Sequence, residues 1–159
     1  MEENGILDAC RKALSVACLL MLLSSCSLPR IAILHDPLTP EEHINLGVSY
    51  EKRGEFDAAL EQYAAASSKE PLAYLYMGNA YFQKGDLKEA EKSYRQAIDR
   101  THDARAYNNL AWLYYTTGGR LEEAEALARK AVELAPGSLD FQDTLRKIIE
   151  KRSSSHEGR

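Results

Sequence analysis

Residues 77–97 read Met-Gly-Asn-Ala-Tyr-Phe-Gln-Lys-Gly-Asp-Leu-Lys-Glu-Ala-Glu-Lys-Ser-Tyr-Arg-Gln-Ala. Apolar and small residues recur here at spacings of three and four, the period of a helix with one buried face. Gly85 interrupts the pattern where a helix end needs a left-handed residue. The stretch therefore predicts two helices joined by a tight turn. Sliding the chain on itself finds the same pattern on both sides. Upstream it appears as Leu46-Gly47-x-x-Tyr50, Gly54-x-Phe56, Ala59-x-x-x-Tyr63, Ala66 and Pro71. Downstream it appears as Leu110-Ala111-x-x-Tyr114, Gly118, Leu121, Ala124-x-x-x-Ala128, Ala131 and Pro136, with His102 in the proline slot of the middle copy. A repeat of this length is one helical pair that cannot bury its apolar face alone and must stack on its neighbours.

The three copies resemble the tetratricopeptide repeat. The resemblance covers about residues 40–136 and implies an all-α solenoid of three helix-turn-helix repeats. The repeats are expected over 40–70, 71–103 and 104–137, followed by a capping helix over 138–152 and a disordered tail over 153–159. Small residues at 47, 78 and 111 should face small residues at 59, 90 and 124, where the two helices of each pair come close. Thr39-Pro40-Glu41-Glu42 reads as a capping box with proline in the first turn, and Asp86-Leu-Lys-Glu89 as a second box. Leu46 and Met77 are 31 residues apart and Met77 and Leu110 are 33 apart, against about 34 in the family. The first junction is thus shortened before Tyr74, and the turn Thr116-Thr-Gly-Gly-Arg120 carries one residue more than the others. In 138–152, Phe141, Leu145, Ile148 and Ile149 share a face. The opposite face is charged, as the end of a repeat array requires.

The N-terminal segment is of another kind. Arg11 and Lys12 precede an apolar run from Ala13 to Leu23 that ends in Ser24-Ser25-Cys26-Ser27. Eleven helical residues rise only ~16 Å, about half a bilayer's hydrocarbon core. The grammar is that of a secretory leader, although Glu2, Glu3 and Asp8 are more acidic than such a leader prefers. Leu23-Ser24-Ser25-Cys26 resembles the bacterial lipobox. That resemblance implies a signal peptide over 1–25, a lipidated Cys26 that begins a linker over 26–39, and membrane attachment through the acyl chains. The remaining readings of this segment are a buried amphipathic helix and a soluble signal sequence. Ser27 rather than Asp after the cysteine points, by family analogy, to the outer membrane facing the periplasm. Ile31, Ile33 and Leu34 in the linker either pack on the first helix or pair as a strand with a partner.

The chain of 159 residues has 20 basic and 24 acidic side chains, a net charge of −4. It therefore lacks the basic surplus that marks a nucleic-acid coat. Its three cysteines all fall in the first 26 residues, so the repeats hold no thiol for a disulfide or metal. The four histidines, His35, His43, His102 and His156, are scattered. No nucleophile-and-base set or phosphate loop stands out. The expectation is a non-enzyme with no cofactor, metal, nucleic acid or small-molecule substrate, with Glu122, Glu123 and Glu125 on a solvated helix face.

By family register, the groove facing a protein or peptide partner comprises Ile44, Val48, Glu51, Leu75, Asn79, Phe82, Arg105, Asn108, Trp112 and Tyr115. Trp112 either anchors that groove or packs beneath the capping helix. Family domains that grip a chaperone's C-terminal carboxylate use Lys, Asn and Arg at fixed positions. Here those positions hold Ile44, Val48, Tyr76, Arg105 and Asn109, and only Arg105 fits, which leaves a groove suited to an apolar or aromatic peptide or helix. The combined resemblance implies a scaffold or adaptor in the bacterial envelope, like the accessory lipoproteins that assist pilus, secretion or polysaccharide-export complexes. The alternative is an accessory subunit of an envelope enzyme, because Leu34–His43 resembles segments of repeat proteins linked to papain-like cysteine peptidases.

Overall fold

The computed structural model describes residues 36–157. The expected leader, Cys26 and the Ile31–Leu34 segment lie outside the described residues. Seven helices follow: α1 (Pro40–Lys52), α2 (Phe56–Ala66), α3 (Ala73–Lys84), α4 (Leu87–Thr101), α5 (Ala104–Thr117), α6 (Leu121–Leu134) and α7 (Leu139–Glu157). The turns within the pairs span 53–55, 85–86 and 118–120. Gly54, Gly85 and Gly118 sit there at φ of 76°, 88° and 73°, where any other residue is strained.

The helix starts differ. At α1, Thr39 Oγ1 accepts from the Glu42 N–H at 3.2 Å and Glu42 Oε2 accepts from the Thr39 N–H at 2.7 Å, a complete capping box. At α4 the second expected box does not form. Asp86 makes no side-chain cap bond, and its carboxylate lies 3.4 Å from the Lys84 ammonium instead. In the extended third turn, Arg120 takes a left-handed φ of 55°. Its guanidinium lies 4.0 Å from the Tyr114 ring centre and donates to Glu91.

Within each pair the helices pack along their length, and each second helix packs on the first helix of the next pair. The first helices also touch in succession, α1 on α3 and α3 on α5, whereas the second helices do not touch one another. The array therefore curves with α1, α3 and α5 on its inner side. Ala59, Ala90 and Ala124 are fully buried, as their small size requires. The glycines face something larger than expected. A Cβ on Gly47 would run into the Tyr63 ring, and one on Gly78 into the Tyr94 ring. The absent side chains thus make room for tyrosines. The third repeat carries Ala111 and Ala128 at the matching places, both fully buried.

The terminal helix departs from expectation in two ways, and it covers a residue of α6 expected in solvent. It runs to Glu157 rather than ending at 152. The hydroxyls of Ser153, Ser154 and Ser155 bond back to the carbonyls of Ile149, Lys151 and Arg152, which lets serines continue the helix. Its outward side is not wholly polar, because Leu145 and Ile149 border a shallow depression beside Gln142, Arg146 and Glu150. Glu125, expected on a solvated face, is buried. It is held by Arg129 at 2.7 Å and, from α7, by Arg152 at 2.9 Å.

Candidate peptide-binding groove

The inner face carries two adjoining clefts of about 210 and 250 Å³ that share Glu51, Asn79 and Gln83. Phe82, Tyr94, Asn109 and Trp112 complete the first, and Val48, Lys52 and Tyr76 the second. Of the expected groove residues, Val48, Glu51, Asn79, Phe82 and Trp112 are therefore brought together. Tyr115 extends the set, with its ring 5.0 Å from that of Trp112.

Ile44 and Leu75 do not belong to the groove. They are 9% and 2% exposed and lie in the cores of the first and second junctions. Asn108 stands at the equivalent place of the third repeat and is half-buried, with its Oδ1 unpartnered. The misreading has a simple cause. Neighbouring residues of a helix point about 100° apart, so the position one residue later faces the groove. There stand Tyr76 and Asn109, which the expected set omits.

Arg105 is exposed at the groove's end and tied to Asp103 at 2.6 Å. The guanidinium holds the Asp103 carboxyl below its ordinary range. Trp112 stands between the inner cleft and α7. It lines the inner cleft, and the Lys147 ammonium of α7 lies 5.6 Å from its ring centre. Lys151 of the same helix lies 4.6 Å from the Tyr115 ring and donates to the Tyr115 carbonyl at 2.7 Å.

Two hydrogen-bonded sets, centred on Glu51 and on Asn79, fix the polar lining. Burial pushes the Tyr63 and Tyr94 hydroxyls well above their ordinary range, so both remain protonated donors. Tyr63 donates to Glu51 Oε2 at 2.7 Å, and the Gln83 amide donates to Glu51 Oε1. Tyr94 donates to Asn79 Oδ1 at 3.0 Å, and the Asn109 amide donates to the same oxygen at 2.9 Å. With its oxygen doubly engaged, Asn79 is left with Nδ2 donors that have no partner among the described residues. The floor thus offers amide donors and one carboxylate between aromatic walls. It can hold a chain segment by backbone hydrogen bonds and side-chain anchors. Among the described residues no group of three or more His, Cys, Asp or Glu is placed to hold a metal, and no helix is long and apolar enough to cross a membrane.

The tetratricopeptide repeat model matches residues 44–102 and 77–138. Over 99 residues the chain is 37% identical to the human protein O-mannosyl-transferase TMTC2, a match covering 58% of this chain and 12% of that protein. Similar solved structures include the first repeat domain of human RPAP3, with a TM-score of 0.69 and 23% identity over 78% of this chain and all of that one. A second is the first repeat domain of Spaghetti (RPAP3) bound to the HSP90 peptide SRMEEVD, at 0.66 and 23% over 76% of this chain and 98% of that one. A third is the Sgt2 repeat domain of Aspergillus fumigatus, at 0.68 and 18% over 74% and 82%. At these identities the structures speak to the fold alone, while the family model spans more than half the sequence: the chain belongs to the tetratricopeptide repeat family.

Proposed function

We propose that the protein is a protein-interaction scaffold whose inner groove holds a peptide or helix of a partner, tethered through a lipidated Cys26 to the bacterial envelope. The groove's make-up carries the first half of this reading. Aromatic anchors, amide donors and a carboxylate converge on one concave surface, the composition that concentrates binding energy at interfaces. A peptide bound to one of the fold's relatives supports the same use of the fold. The sequence from Arg11 to Cys26 supports the second half, since several acyl chains hold a protein to a membrane where one holds marginally. The match to the transferase covers 12% of that protein, so its activity is not carried to this chain. An outer-membrane site facing the periplasm and a part in assembling a pilus, secretion or polysaccharide-export complex complete the proposal.

Two experiments test it. A displayed library of random 12-residue peptides, panned on the immobilised chain, should yield binders that Trp112→Ala weakens at least ~30-fold, equivalent to ~2 kcal/mol. Phe141→Ala, in the half-buried part of α7, should lower the melting temperature while leaving affinity below that temperature nearly intact. Equal affinity for Trp112→Ala and wild type would remove the groove reading. For the tether, radiolabelled fatty acid fed to bacterial cells should label the wild-type chain and not Cys26→Ala. An unlabelled wild type would end the lipoprotein reading.

A further inference from the structure

The inner cleft between α1, α3 and α5 has an unbalanced charge. Glu51 is the one charged residue that lines it, and its carboxylate is bonded by two neutral donors, the Tyr63 hydroxyl and the Gln83 amide. No Lys, Arg or His nitrogen of the described residues lies within 4.0 Å of it. A half-buried carboxylate without a counter-ion gains most when a cation is brought to it out of water. Around this charge stand the rings of Phe82, Tyr94 and Trp112, and an aromatic face attracts a cation by its quadrupole. The Trp112 ring already has one ammonium beside it, that of Lys147 at 5.6 Å. About 210 Å³ of space separates these walls, room for one side chain and not for a folded element.

Resting on the reading of this groove as the partner surface, the geometry points to a receptor for one arginine side chain of the bound segment, with Glu51 as its counter-ion. Arginine fits better than lysine because its planar guanidinium stacks on aromatic rings and presents paired N–H donors to a carboxylate. The same arrangement disfavours a segment rich in acidic residues, such as the SRMEEVD peptide carried by the fold's relative.

Trp112 is the only tryptophan, so its indole N–H resonance is a single signal from a wall of this cleft. N-acetyl-arginine methylamide and its neutral isostere N-acetyl-citrulline methylamide are titrated into the isotopically labelled full chain, with SRMEEVD as the acidic probe. The arginine compound should move the indole signal with a dissociation constant about tenfold below that of citrulline. In Glu51→Gln, which keeps an acceptor for Tyr63, the two compounds should bind alike. Raising salt from about 0.05 to 0.5 M should weaken arginine and not citrulline, a readout that holds even if Glu51→Gln does not fold. Equal binding of the two compounds to the wild type overturns the arginine receptor, as does the absence of any indole shift. The 12-residue binders from panning, titrated into the same sample, then judge the groove separately. If they move the Trp112 signal without preferring arginine, the groove stands and the receptor falls.

Discussion

At the scale of single residues, the fold rests on glycines chosen for what their neighbours need. Gly78 lies under the ring of Tyr94, which is 2% exposed and fixed at its hydroxyl by Asn79. An added methyl cannot be accommodated by swinging the ring away. Gly78→Ala should therefore cost about 1–3 kcal/mol through overpacking, less about 0.5–1 kcal/mol regained from alanine's better helix propensity. With Tyr94→Ala as the background, the obstacle is gone and only the propensity gain remains, so the same substitution should become stabilising. Urea unfolding of the four proteins checks this change of sign, and additive effects would show that glycine and ring do not meet. The third repeat carries the compensated version, Ala111 with Ala128. The covariation was visible in the sequence, but the alignment of small residues alone pointed to the alanines as the facing partners.

At the scale of elements, Glu91 ties three helices together. From α4 it accepts from the Tyr114 hydroxyl of α5 at 2.7 Å and from Arg120 at the start of α6 at 2.9 Å. These donors, Arg120 foremost, pull its pKa down to about 2 from an ordinary 4.5. A depressed folded-state value means that the unfolded chain takes up the proton first as pH falls. The stabilisation is therefore complete above pH 4.5 and disappears as pH drops toward 2, by about 2–3 kcal/mol in all. Unfolding followed from pH 6 to pH 2 should show this loss in the wild type and a flatter profile in Glu91→Gln. Parallel profiles would mean that the carboxylate is not held as described.

The helices, their left-handed glycine ends and the Thr39 box were legible because they depend on residues within a few positions of one another. Of the failures, one has a local competitor and the other a distant element. Lys84 draws the Asp86 carboxylate away from its expected cap, and Arg152, 27 residues along the chain, covers Glu125. The groove was half legible. Val48, Asn79 and Trp112 follow from the repeat register, whereas Ile44 and Leu75 were misplaced by one helical step. The amide bonds from Gln83 to Glu51 and from Asn109 to Asn79 left no periodic mark.

At the scale of the whole array, contacts between successive first helices and none between second helices give curvature, and the curvature makes the groove. The inner surface is where the chain departs from the simple needs of packing, with aromatic rings beside two hydrogen-bonded sets, one around the Glu51 carboxylate and one around the Asn79 amide. The most direct test is to locate a panned peptide on the labelled full chain by chemical-shift mapping. The account predicts that the Trp112 indole and the side-chain amides of Asn79, Gln83 and Asn109 move together on binding, while α2, α4 and the outward face of α6 stay still. Shifts confined to those second helices or to the Leu145–Ile149 side of α7, with the four groove signals unmoved, would contradict it.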